Sequence, residues 1–133
     1  MHFQGMFVET HCAFSHACAM CQQVIRHVPE EHHFHIETAF RELIANAVNA
    51  SKKVNGRVSV DFYLTPVSLT IIIVNTGVNY FTDPESHRFP GNLSEHGRGI
   101  PMAYSCCDQL SYSRTTESKT RVTAIWDLRK RRH

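Results

Sequence analysis

Between Ile36 and Val48 the apolar residues Ile36, Phe40, Leu43, Ile44, Ala47 and Val48 recur three and four positions apart. That is the stripe of an amphipathic helix, and it predicts one over about 34–53. A weaker stripe, Phe14, Ala17, Cys18, Cys21, Val24 and Ile25, predicts a shorter helix that ends before Pro29, with a short strand ahead of it. After Gly56 the period falls to two: Val58, Val60, Phe62 and Leu64 alternate with Arg57, Ser59, Asp61 and Tyr63, as in a half-buried strand that Pro66 ends. Leu69 to Asn75 is rich in β-branched residues and follows the turn Thr65-Pro66-Val67-Ser68. The two runs are therefore expected to pair as an antiparallel hairpin. Residues 79–97 show no period and hold Asp83-Pro84 and Pro90-Gly91-Asn92, which reads as a long loop. A helix over Gly99 to Cys107 and two strands, Leu110 to Ser113 and Arg121 to Leu128, complete the chain. Helix, helix, hairpin, loop, helix, hairpin is an α+β layout: two layers, with about three helices covering one face of a mostly antiparallel sheet.

Composition narrows the classes. At 133 residues and 42% hydrophobic the chain suits one compact domain, and 20% charged residues lack the signature of disorder. A net charge of +2 is too small to argue for direct nucleic-acid binding. The ten histidines make the protein more basic below about pH 6. The longest apolar stretch, Leu69 to Val74 with Thr70 inside it, is far short of the roughly 20 residues that a spanning helix needs, so no membrane segment is expected. Five cysteines cannot pair completely and no secretory leader pattern opens the chain, which fits a reducing cytoplasm. Met1 to Gly5 reads as a tag remnant, residues 6–128 as the domain, and Arg129 to His133 as a solvated basic tail rather than a contact for an acidic partner.

Cys12, Cys18 and Cys21 with His11 and His16 raise a metal or redox reading, but Cys18 and Cys21 share the apolar side of the first helix, where buried cysteine acts as a small hydrophobe. Of Cys106 and Cys107 only one is expected to face the core. His32, His33 and His35 read as a solvated approach to the long helix, and Phe14, Phe34, Phe40 and Trp126 as core.

Candidate chemistry gathers on the long helix and at two glycine-bearing junctions. At about 100° per residue, Glu42, Asn46 and Asn49 lie within roughly 60° of one another, on the side away from the apolar stripe. A strand ends in Val74-Asn75-Thr76-Gly77, and Gly97-Arg98-Gly99-Ile100 opens a later helix. Both place permissive backbone where a ligand can approach closely, and helix N-terminal amides bind phosphate.

In order, Glu42-Leu-Ile-Ala-Asn46-Ala, Ile73-Val-Asn75-Thr-Gly77 and His96-Gly97-Arg-Gly99-Ile-Pro-Met-Ala103 resemble the three boxes of the GHKL, or Bergerat-fold, ATPases. Within that superfamily, a short chain with no phosphoacceptor domain and Asp108-Gln-Leu-Ser-Tyr112 before a last strand is similar to the stand-alone anti-sigma-factor serine/threonine kinases. The resemblance implies ATP and Mg²⁺ as cofactors. Glu42 takes the place of the general base, Asn46 of the Mg²⁺ ligand with Asn49 beside it, and Gly97, Arg98, Gly99 and Ile100 of the phosphate cradle. Residues 79–96 take the place of the nucleotide lid; Asn75, Gly77 and Thr120 that of the adenine pocket. The resemblance also implies a sigma factor and an anti-sigma-factor antagonist protein as partners and, for many such proteins, a homodimer.

Three positions depart from the pattern. Asn75 stands where the family keeps an aspartate, which removes a charge-assisted bond typically worth ~1.5–3 kcal/mol and implies weaker nucleotide binding. Asn79 replaces the second glycine of that box, and Lys119 precedes Thr120 where a glycine is common. Two rival readings follow: a non-catalytic Bergerat-fold interaction module, and the detached catalytic domain of a two-component histidine kinase.

Overall fold

The computed structural model describes residues 1–8, 12–77, 102–115 and 118–132. In chain order these form β1 (His2–Val8), α1 (Ala13–Ile25), a single 3-10 turn (Glu30–His32), α2 (His33–Lys52), β2 (Arg57–Leu64), β3 (Ser68–Thr76), β4 (Gln109–Arg114) and β5 (Lys119–Asp127). Residues 102–106 are also helical, inside the stretch where the sequence predicts the third helix. The five strands make one sheet in the order β1-β2-β3-β5-β4, and every neighbouring pair is antiparallel. This is the expected two-layer α+β fold.

Strict alternation writes the two faces of the sheet. Val58, Val60, Phe62 and Leu64 of β2, Leu69, Ile71 and Ile73 of β3, and Val122, Ala124 and Trp126 of β5 are all buried. The residues between them are partly or fully exposed. The buried face meets Ile36, Phe40, Leu43, Ile44 and Ala47 of α2 and Ala17, Cys21 and Val24 of α1 in one core. Phe40 and Phe62 meet with ring centroids 5.6 Å apart. Each large side chain enclosed there contributes about 1.5–3 kcal/mol by leaving water, which makes the apolar stripe of α2 the main attachment of helix to sheet. The β2–β3 hairpin closes on Thr65, whose Oγ1 accepts from the N–H groups of Val67 at 3.2 Å and Ser68 at 3.0 Å, with Pro66 presetting the turn backbone.

His2 to Gly5 lie in the edge strand β1, paired with Tyr63 to Val60, and Met1 donates its amino N–H to the Leu64 carbonyl at 2.7 Å. Three expectations are corrected. Phe34 is 71% exposed rather than core: two residues before Ile36 on a helix is about 200° of rotation, which points it away from the sheet. His32 is fully buried instead of solvated. Its Nδ1 accepts from Arg132 Nε at 2.7 Å and its Nε2–H donates to the Leu128 carbonyl at 3.1 Å. The basic tail is therefore docked through residue 132: Arg132 also pairs with Asp108, and Lys130 reaches Asp108 at 3.2 Å. The cysteine reading holds in the core: Cys21 and Cys106 are buried, while Cys18 and Cys107 are only partly covered.

Candidate functional site

Three of the predicted site residues lie on α2, and they differ in exposure. Asn46 is nine-tenths buried, Glu42 is half-buried, and Asn49 is exposed. Glu42, Asn46 and Ala50 follow one another at four-residue steps, so they form a rail along one side of the helix, about 12 Å from first to last. The Asn46 Nδ2 atom is buried and has no hydrogen-bond partner among the described residues. A buried donor without a partner costs about 1–3 kcal/mol, so an amide held in that condition fits a place where a polar ligand completes its bonding.

The end of β3 meets the lower end of that rail. Gly77 has φ +91°, and a Cβ there would stand 3.0 Å from Val54 Cγ2 and 3.2 Å from the Ala50 carbonyl oxygen. Glycine alone satisfies both the backbone conformation and the close approach to the last turns of α2. Asn75, two residues earlier, faces the helix layer and is fully buried. Its Nδ2 donates to the carbonyls of Thr76 at 3.0 Å and Gly77 at 3.4 Å. Across the ladder its register partner is Thr120, also buried, whose Oγ1 donates to the same Gly77 carbonyl at 3.2 Å. The Gly77 N–H donates to Ser118 at 2.9 Å, and Ser118 itself has φ 59°.

The fold thus brings together Asn75, Gly77 and Thr120 and sets Gly77 against Ala50, one helical turn from Asn46 and two from Glu42. Gly97, Arg98, Gly99 and Ile100, the loop 79–96 and Asn79 lie outside the described residues. Sequence reasoning missed Ala50, Val54 and Ser118. Ala50 and Val54 contribute by contact with the Gly77 backbone, and nothing in the pattern of a helix end announces such a contact.

The arrangement offers nucleotide-type chemistry. Asn46 carries a neutral amide oxygen of the kind that completes the coordination of a hard cation, and Asn75 and Thr120 line the junction with hydrogen-bonding groups. A thiolate metal centre has less support. Burial pushes the Cys21 thiol up, with Cys18 and Glu37 adding to the effect, and holds the Cys107 thiol at about 12. Among the described residues no group of three His, Cys, Asp or Glu is placed to hold a metal, and no helix is long and apolar enough to cross a membrane.

A search of curated proteins returns no match to this chain. The model of the family described as histidine kinase-like ATPase domain matches residues 9–126. That match runs from ahead of α1 into β5 and takes in the α2 rail and the Asn75–Thr120 junction, so the chain belongs to the histidine kinase-like ATPase domain family.

Proposed function

We propose that this domain binds ATP with Mg²⁺ and passes the γ-phosphate to a serine or threonine hydroxyl of a small antagonist protein, as an anti-sigma regulatory factor does. ATP binding follows from the family. The observation that supports the finer reading is the buried Asn46 side chain, whose Nδ2 has no hydrogen-bond partner among the described residues, four residues from a half-buried carboxylate at Glu42 and four from the Ala50 carbonyl that packs on Gly77. In this reading Glu42 accepts the proton of the attacking hydroxyl, the oxygen bonds to the γ-phosphorus, and ADP departs. The Asn46 amide oxygen would hold Mg²⁺, which supplies positive charge to the phosphate oxygens when bound, and Asn75 and Thr120 would hold the base.

Titration calorimetry with ATP and ADP, with and without Mg²⁺, tests the binding step. Magnesium-dependent heat that Asn46→Ala reduces about tenfold or more supports it; the absence of heat at millimolar nucleotide overturns it. A transfer assay against serine-bearing and histidine-bearing acceptor proteins tests the chemistry. Glu42→Ala is expected to abolish transfer to serine while leaving nucleotide binding intact, and transfer to histidine alone would make the chain a histidine kinase catalytic domain.

One observation favours a second reading, a Bergerat-fold interaction module without catalysis. Asn75 spends its amide donors on the carbonyls of Thr76 and Gly77, where the family carboxylate has only acceptors to offer. Titration without heat, together with intact folding, would establish that module.

A further inference from the structure

The face of the sheet turned away from the helices carries an arrangement of side chains that the nucleotide reading does not use. On that face Thr76 is the register partner of Lys119, and its Oγ1 accepts from the Arg57 N–H at 3.2 Å, so Arg57 and Lys119 flank Thr76 on the two adjoining strands. Two strand spacings put their backbones about 10 Å apart. The next row runs Met6, Ser59, Val74, Arg121 and Ser113. Met6, Arg57, Ser59, Val74, Thr76 and Lys119 line an open hollow of about 140 Å³, with the side chains of Met6 and Val74 and the hydroxyls of Ser59 and Thr76 among its walls.

Charge along this face is polarised. Arg57, Lys119 and Arg121 occupy the two rows at one end, and no carboxylate among the described residues falls in those rows. The carboxylates lie further along: Asp61, bonded to His2 at 2.8 Å, and Asp127, bonded to Arg129 at 3.0 Å. A long polyanion laid on the sheet would meet Asp61 and Asp127 within a few residues. Among the described residues, a short acidic segment that stops at the hollow meets the cations of its two rows, the hydroxyls of Ser59 and Thr76, and the Val74 and Met6 side chains.

We propose that this hollow docks a short acidic segment of a protein partner, with carboxylates at Arg57 and Arg121 and an apolar side chain on Val74 and Met6. The site stands back to back with the Asn75–Thr120 junction, since Thr76 follows Asn75 and Lys119 precedes Thr120 on the same strands.

The test is an NMR titration of the isotopically labelled chain with a short capped peptide of alternating glutamate and threonine. A lysine–threonine peptide and a short oligothymidylate serve as comparisons. The expected result is amide shifts clustered at Arg57, Ser59, Val74, Thr76, Lys119 and Arg121, with affinity falling about tenfold between low and physiological salt. The double variant Arg57→Glu with Arg121→Glu, both exposed positions, should lose about tenfold or more in affinity, and Arg57→Gln should lose less. No shifts in this cluster, equal binding by the folded double variant, or tighter binding of oligothymidylate at the same residues would each overturn the proposal. Nucleotide titration of the same variants is expected to be unchanged, which separates this site from the ATP reading.

Discussion

Asn75 and Thr120 stand opposite each other across the β3–β5 ladder and both donate to one acceptor, the carbonyl of Gly77. The junction of two strands is thereby closed by side chains rather than by the ladder alone, at the point where the backbone turns into φ +91°.

This pairing sets an expectation for the family-like substitution Asn75→Asp. A carboxylate there would face the carbonyl oxygens of Thr76 and Gly77 with no donor to offer, in a position closed to water. In the absence of nucleotide the variant should lose about 1–3 kcal/mol of stability, and Thr120→Val about 1 kcal/mol, both read from urea unfolding midpoints. Unchanged midpoints would show that these side chains do not hold the junction.

Gly77→Ala combines an unfavourable φ with a Cβ set 3.0 Å from Val54 Cγ2 and 3.2 Å from the Ala50 oxygen. A loss of about 1–3 kcal/mol is expected. Adding Val54→Ala should restore part of it by giving the new methyl room, while the Ala50 carbonyl, being backbone, cannot give way as easily. A double-mutant cycle measures that coupling.

Arg132 fastens the end of the chain to Asp108, to the buried His32 and, through its own N–H, to Glu31 at 3.1 Å. Arg132→Ala should cost about 1.5–3 kcal/mol, the usual worth of hydrogen bonds to charged groups. Burial works against ionisation of Asp108, but the Asp127 N–H, Arg132 and Lys130 outweigh it and hold the carboxyl below its ordinary value. Arg129 holds Asp127 at about 2. Carboxyls lowered on folding contribute fully above the unfolded pKa near 4 and lose that contribution as pH falls through the folded value. The melting temperature should therefore fall between about pH 4 and pH 2, and Asp108→Asn should flatten that decline. A wild-type curve as flat as that of the variant would remove Asp108 from the acid response.

Burial, with Cys106 and Asp108 adding and Arg132 opposing, pushes the Cys107 thiol to about 12, and burial likewise raises Cys21. At neutral pH both remain thiols. Alkylation followed by mass spectrometry should label them much more slowly in the native protein than in urea. Equal rates would show that the first helix and residues 102–106 open readily.

The helical stripe from Ile36 to Val48 and the alternation from Val58 to Leu64 were legible because each is a local geometry, 3.6 or 2 residues per turn, printed on consecutive residues. The same rule explains why Phe34 is exposed: its angle from Ile36 was readable, and only its apolar character suggested the core. The polar side of α2 was legible as a set of types, but burial separates Asn46 from the exposed Asn49, and burial depends on what lies above the helix.

The sequence by itself determined the order of helices and strands, the two faces of each, and the residue types at the candidate site. Tertiary structure alone decided that Asn75 faces Thr120, that Gly77 rests on Ala50, and that His32 is enclosed by Arg132 and Leu128. Such pairings join residues far apart in the chain, and no local periodicity encodes them. They exist because β5 lies between β3 and β4 in the sheet and because the chain end returns across the start of α2.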